Sequence, residues 1–159
     1  MKKVRMRKIL VTMLTVILVL GCFCGVAEAK TKQKTVVVFK DVTTKTTYYK
    51  DVKYLYEKGA YKGIAKKGGK FKPTQNMTQK EFIKTLRNLY GSKINLANPK
   101  KSSTKLTQKT ATDTLFKVSE QLGYRVRWSG GSKKAKVTRA KAAYYVHLMI
   151  KTADGALDP

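Results

Sequence analysis

Met77-Thr78-Gln79-Lys80-Glu81-Phe82-Ile83-Lys84-Thr85-Leu86 announces the start of a helix by the order of its residue types. A threonine followed three places later by glutamate makes a capping box, in which each side chain takes up a backbone N–H that the first turn leaves without a partner. Met77 and Phe82 flank it with the spacing of a hydrophobic staple. Ile83, Leu86, Leu89 and Tyr90 continue an apolar stripe at helical spacing, and Gly91-Ser92 closes it.

Upstream, apolar residues recur at Tyr48, Val52, Leu55 and Tyr56, with Lys50, Asp51, Lys53 and Glu57 elsewhere on the wheel. This predicts an amphipathic helix with one buried stripe and the acids on its solvent side. Gly59 stands where a left-handed cap residue is wanted. A basic loop from Tyr61 to Lys72 follows, punctuated by Gly63, Gly68 and Gly69 and closed by Pro73. Before all of this, Thr35-Val36-Val37-Val38-Phe39 is β-branched enough for a strand or an extended lead-in, preceded by a few polar residues expected to be disordered.

Downstream, Asn98-Pro99-Lys100-Lys101-Ser102-Ser103 reads as a linker, and the plan is then repeated. Leu106-Thr107 precedes a stripe at Ala111, Leu115, Val118 and Leu122 that stops at Gly123, while Val137-Thr138 precedes Ala142, Tyr145, Val146 and Met149. The pattern predicts an all-α chain of helix-loop-helix repeats with a short extended lead-in. Its period has two readings. Leu106-Thr107-Gln108-Lys109 matches Met77-Thr78-Gln79-Lys80 better than Val137-Thr138-Arg139-Ala140 does, so a unit of a single helix stands beside the helix pair.

The N-terminal end reads as an export signal: basic residues at Lys2, Lys3, Arg5, Arg7 and Lys8, an apolar run from Ile9, and Ala27-Glu28-Ala29 as a cleavage site before Lys30. The apolar run is close to the roughly 20 residues that span a bilayer, so an uncleaved anchor is one alternative. Val19-Leu20-Gly21-Cys22 supplies another, a lipid anchor at Cys22. Cleavage after Ala29 removes both cysteines and leaves 130 of the 159 residues, enough for one domain with a real core and no disulfides. The organisation expected is a signal peptide at 1–29, a basic lead-in at 30–38, a first repeat at 39–91, a linker at 92–105, a degenerate second repeat at 106–151 and a tail at 152–159.

Charge narrows the partners. The formal net charge is +26, and the part beyond Ala29 keeps 30 basic against eight acidic residues. Such a field draws a protein toward polyanions such as teichoic-type polymers, acidic polysaccharide, nucleic acid or anionic lipid, without choosing among them. Export takes cytoplasmic nucleic acid off that list.

Catalytic chemistry is poorly provided for. His147 is the single histidine, placed within an apolar stretch where a role in packing or at the surface is expected, and no metal or cofactor framework is in evidence. A glycosidase needs two carboxyls about 5 to 10 Å apart. Of the available acids, Glu81 serves as a cap, Asp51, Glu57, Asp113 and Glu120 fall on solvent-facing helix positions, and Asp154 and Asp158 lie in a tail. Lys66-Lys67-Gly68-Gly69-Lys70 lacks the Gly-Lys-Ser/Thr ending of a phosphate loop. The chain is therefore expected not to be an enzyme, with a wall-remodelling enzyme as the weakest rival.

Four segments in order, Phe39-Lys40-Asp41-Val42, Val52 to Gly59, Gly69-Lys70-Phe71-Lys72-Pro73 and Met77 to Phe82, resemble the S-layer homology domain, the repeat by which many bacterial surface proteins hold on to the cell wall. The stretch from Leu106 to Ile150 resembles a worn second copy that keeps Val137-Thr138-Arg139-Ala140 but has no Phe-x-Asp-Val opening. Three such repeats commonly build a pseudo-threefold unit, so self-association of this chain is one way to complete it. The resemblance implies non-covalent attachment to an anionic, often pyruvylated, wall polysaccharide, and it makes Phe39, Asp41, Val42, Gly59, Phe71, Pro73 and Glu81 structural motif residues. The family's motif arginine, which belongs to the binding groove, is Gln79 in the first copy and Arg139 in the second. Further departures are Gly68 for an acidic loop residue, Thr47 for an aromatic and Lys141 for the second motif glutamate.

An arginine just past a helix cap sets a charged fork beside the free N–H groups of the first turn, an arrangement suited to carboxylate or phosphate. The site expected is thus centred on Arg139 and Thr138, with Lys80 and Thr78 as the first copy's counterpart and Lys66 and Lys67 as loop cations. The rival is an exported cationic protein that binds extracellular polyanions such as DNA by charge alone. Thr78→Ala is expected to lower stability by about 1 kcal/mol through loss of the cap; an unchanged urea midpoint would mean that no helix starts there.

Overall fold

The computed structural model describes residues 38–124 and 130–155. The export signal with Cys22, most of the lead-in, and the last residues of the tail, 156–159, lie outside the described residues. The described residues contain four α-helices: α1 (Tyr49–Glu57), α2 (Gln79–Tyr90), α3 (Gln108–Gln121) and α4 (Arg139–Gly155), with a 3-10 turn at Gly91–Lys93 after α2. No strand occurs among the described residues, and the all-α expectation holds. No helix among them is long and apolar enough to cross a membrane.

The three predicted glycine stops are found, Gly91 capping α2 at φ 57°. At the end of α1, Gly59 takes φ 78°, and the N–H groups of Gly59 and Ala60 donate to the carbonyls of Tyr56 and Leu55 at 2.8 and 3.0 Å. Gly123, at φ 75°, repeats this with Gly123 to Glu120 and Tyr124 to Ser119 at 3.1 and 2.8 Å. Both are the paired closure that satisfies the last carbonyls of a helix and needs a left-handed residue just past it. The start of α1 differs from the sequence reading. Tyr48 is not helical but sits before the helix at φ 61° with no capping side chain, its ring stacked on Tyr144 of α4 at 5.0 Å.

The capping box of α2 forms in full, with Thr78 Oγ1 accepting from the Glu81 N–H at 3.2 Å and Glu81 Oε2 accepting from the Thr78 N–H at 3.0 Å. Thr107 Oγ1 caps α3 through the Thr110 N–H at 3.2 Å, and Thr138 Oγ1 accepts from the Lys141 N–H at 3.3 Å. The residue ahead of each threonine is buried: Met77, Leu106 and Val137.

These three residues close a ring. The Met77 N–H donates to the Val137 carbonyl at 2.9 Å, Val137 to Leu106 at 2.9 Å, and Leu106 to Met77 at 2.8 Å. A second tier, two residues further along each segment, runs in the opposite sense, with Gln79 donating to Thr104, Gln108 to Ala135 and Arg139 to Gln75, each at 2.9 Å. The caps of α2 and α3 are extended, Thr78 at φ −89°, ψ 156° and Thr107 at φ −99°, ψ 163°. That conformation lets each lead-in pair with its neighbours as a short antiparallel bridge. Three helix starts thus occupy equivalent places, at Thr78, Thr107 and Thr138.

The core runs from this ring through Phe82 and Leu86 of α2, Leu115 and Val118 of α3, and Val146 and Met149 of α4, all buried. Helix α1 lays Val52 and Leu55 into the same core and packs along α4. Here the sequence reading of Asp51 needs correction: the residue does not face solvent, and its Oδ1 lies 2.7 Å from His147 Nδ1 of α4, both side chains largely buried. His147 also stacks on Tyr54 at 4.1 Å, so the single histidine joins α1 to α4.

Because the ring bonds join three segments far apart in sequence, their amides open only when the bundle opens. The Met77, Leu106 and Val137 amides are expected to share one slow exchange rate with deuterium, at the global unfolding free energy. Rapid exchange of any one of them under native conditions would show that its edge of the ring opens by itself.

Candidate binding groove

The opening Phe-x-Asp-Val and the turn at Phe71-Lys72-Pro73 form one unit. Asp41 accepts from the Phe71 N–H through Oδ1 and from the Lys72 N–H through Oδ2, both at 2.7 Å, and holds Lys72 at φ 58°. Phe39 stacks on Phe71 at 5.0 Å and meets Tyr56 edge-on at 5.3 Å. Two charge-assisted bonds from one carboxylate explain why the turn tolerates a left-handed lysine.

That turn leads directly to Arg139. Its Nη1 donates to the Phe71 carbonyl at 2.9 Å, and its Nη2 pairs with Glu81 Oε1. The Arg139 side chain is 11% exposed, and its Nε is buried without a partner among the described residues. Glu81 therefore spends one oxygen on the α2 cap and the other on the first residue of α4. Burial pushes its carboxyl up, but bonds from the Thr78 backbone and from Arg139, with the charge of Arg139, outweigh this and hold it below the usual carboxylate range.

The first turn of α4 is equally committed. Arg139 and Ala140 donate their N–H groups to the carbonyls of Gln75 and Pro73 at 2.9 and 3.1 Å, Lys141 to the Thr138 hydroxyl, and Ala142 to the Thr138 carbonyl at 2.9 Å. The expected meeting of an arginine fork and free helix-start donors is not what the structure presents. Both are used to dock α4 onto the segment leading into α2. Lys80, Lys66 and Lys67 are solvent-exposed, and Thr78 is held in its capping box.

A groove of about 460 Å³ does lie beside this helix start. It is lined by the segment before α1, Lys45 to Tyr48, by Pro73 and Thr74, and by Thr138, Ala140 and Lys141 at the start of α4. Of the residues singled out in the sequence, Thr138 and Pro73 line it; Arg139, Thr78, Lys80, Lys66 and Lys67 do not. Its charge comes from Lys45 and Lys141, neither of which has a carboxylate partner among the described residues. The Lys141 ammonium lies over the Tyr145 ring, 5.8 Å from its centroid. Lys45 went unnoticed because nothing in its local pattern marks it. Lys141 and Thr47 were visible as departures from the family motif, and both prove to line this groove.

No group of three or more metal-ligating side chains occurs among the described residues.

The S-layer homology domain matches residues 38–83. The match runs from the buried Phe39 through α1 and the 71–73 turn into the first part of α2; α3 and α4 lie beyond it. No curated protein and no solved structure matches the chain. S-layer homology domains are binding modules rather than catalytic ones, and the match points to a module that anchors at the cell wall or cell surface.

Glu81 supplies a pH test. Its folded pKa is depressed, so its contribution to stability is present above the unfolded value of about 4.3 and is lost as pH falls through the lower folded value. Urea midpoints of the wild type are expected to drop more steeply below about pH 5 than those of Glu81→Gln, which starts lower at neutral pH. Parallel pH profiles for the two would show that the Glu81–Arg139 pair contributes nothing.

Proposed function

We propose that this chain is an exported, non-enzymatic module that attaches non-covalently to an anionic secondary polysaccharide of the cell wall, through the groove between Lys45–Tyr48 and the start of α4. The observation that carries this reading is one cleft lined by two lysines, Lys45 and Lys141, neither with a carboxylate partner among the described residues, together with Pro73 and Thr74. Two cations across a cleft suit a polymer that brings one negative charge per repeat, and the threonine hydroxyls of Thr46, Thr47 and Thr74 add hydrogen-bonding groups for sugar hydroxyls. The match to a wall-binding domain over residues 38–83 supports the same class of ligand. Arg139 contributes in this reading by fixing the angle of α4, and hence the width of the groove, without touching the polymer.

A charge-only reading is favoured by a separate observation. The loop lysines Lys66 and Lys67 are solvent-exposed, and the 30 basic against eight acidic residues beyond Ala29 attract any polyanion. The two are separated by co-sedimentation with purified walls, with and without their secondary polymer. Lys45→Gln combined with Lys141→Gln is expected to weaken binding about tenfold, the loss of two charge-assisted contacts, while Lys66→Gln with Lys67→Gln mainly flattens the salt dependence. Should the groove variant bind as the wild type does and the loop variant not bind at all, the groove reading fails and attraction by charge alone takes its place.

A further inference from the structure

Helix α1 starts unlike the others. Thr78 and Thr107 cap α2 and α3 with extended backbones and with hydroxyls that accept first-turn N–H groups. Tyr48, in the same place before α1, has φ 61° and ψ 27° and no side chain closing the cap. A bulky residue is crowded against its own carbonyl in this left-handed conformation, and tyrosine offers no acceptor of the kind that satisfies the free N–H groups of a first turn. Backbone and residue type therefore both lower the stability of this helix start. Asparagine would suit either form of it, since it tolerates the left-handed region and caps a helix from the extended one.

What Tyr48 does make is a contact across the fold. Its ring stacks on Tyr144 of α4, with centroids 5.0 Å and planes 25° apart. Tyr144 in turn meets Tyr145 at 5.9 Å, and the Lys141 ammonium lies 5.8 Å from the Tyr145 centroid. A line of ring contacts thus runs from Tyr48 to one of the two lysines of the groove. The other, Lys45, belongs to the segment just before Tyr48, which folds on itself through bonds from the Thr46 N–H to the Thr43 carbonyl at 2.8 Å and from the Tyr49 N–H to the Thr46 carbonyl at 3.0 Å. Among the described residues no hydrogen bond or ion pair joins Lys45–Tyr48 to α4, and the Tyr48 ring is the tie between them.

We infer that Tyr48 is a positioning residue of the groove: docked on Tyr144, its ring sets the separation of Lys45 and Lys141 before any ligand arrives, and the left-handed backbone is what that docking requires. The inference rests on the function proposed above and adds to it the device that fixes the charge spacing offered to a polymer. Lysines held in place beforehand leave less to be ordered on binding. A loss of stability retained beside a groove, with one ring stack as its only return to the fold, fits a residue whose conformation serves the ligand.

The test measures binding to purified walls that carry their secondary polymer, and thermal unfolding, for Tyr48→Asn, Tyr48→Phe and the Lys45→Gln/Lys141→Gln variant. Tyr48→Asn is expected to keep or raise the Tm while weakening wall binding about fivefold, the equivalent of one lost ring stack. Tyr48→Phe, which keeps the ring, is expected to restore wild-type binding. A tyrosine that served only the fold would lower Tm and affinity together. The inference is overturned if Tyr48→Asn binds walls as the wild type does, if its Tm falls along with its affinity, or if Tyr48→Phe binds as weakly as Tyr48→Asn. Failure of the underlying groove reading shows separately, as wild-type binding by the Lys45→Gln/Lys141→Gln variant, and the inference falls with it.

Discussion

The backbone amides of Met77, Leu106 and Val137 each donate to the carbonyl of another member of the set, so the bonds run in a closed circle with no first or last member. The three side chains are buried beneath it, where an amide without a partner would carry the full cost of desolvation. Each bond is satisfied only if both other segments are present and in register. The starting points of α2, α3 and α4 are thereby fixed relative to one another before any helix–helix packing is considered. The second tier, from the N–H groups of Gln79, Gln108 and Arg139, links the same three segments in the opposite sense and stiffens the arrangement.

The side-chain network beside α4 follows from that register. With α2 and α4 starting at adjacent points of the ring, Glu81 of one and Arg139 of the other come within reach, and Arg139 extends to the Phe71 carbonyl. Asp41 holds the same turn from its far side through the Phe71 and Lys72 N–H groups. A chain of charge-assisted bonds thus runs from the opening motif through the turn into two helix starts. Partly buried charges held this way would be costly to leave unpaired, so the network fixes a unique arrangement more than it adds to net stability. The groove beside it inherits its shape from the same contacts, while its charge comes from Lys45 and Lys141 at the edge.

Opposite ends of the helices offer opposite chemistry. At the starts, the positive dipole ends are spent on backbone carbonyls, and lysines provide the attraction for anions. At the C-terminal ends, Tyr54, Tyr90 and Tyr124 line a second pocket together with Lys58 and Asp154. The excess of lysine over acid acts at long range and draws polyanions to the surface as a whole.

Local patterns were legible in the residues themselves. The Thr78–Glu81 box, the glycine stops at Gly59 and Gly123, the apolar stripes and the Phe39 to Phe82 motif order depend on neighbours within a few positions or on a family pattern, and each recurs in the structure or in the domain match. What lies across the fold was not legible. Arg139 looked like a ligand-binding fork because its own turn offered it nothing; its partners, Glu81 and Phe71, stand 58 and 68 positions away. Asp51 looked solvent-facing for the same reason, until His147, 96 positions on, met it across the α1–α4 interface. The sequence by itself determined helix starts, stops and overall charge, since these follow from short-range hydrogen bonding, periodicity and composition. Only the tertiary structure decided which charges were consumed by the fold and which were left facing a groove, because that depends on contacts between segments whose separation no local pattern records.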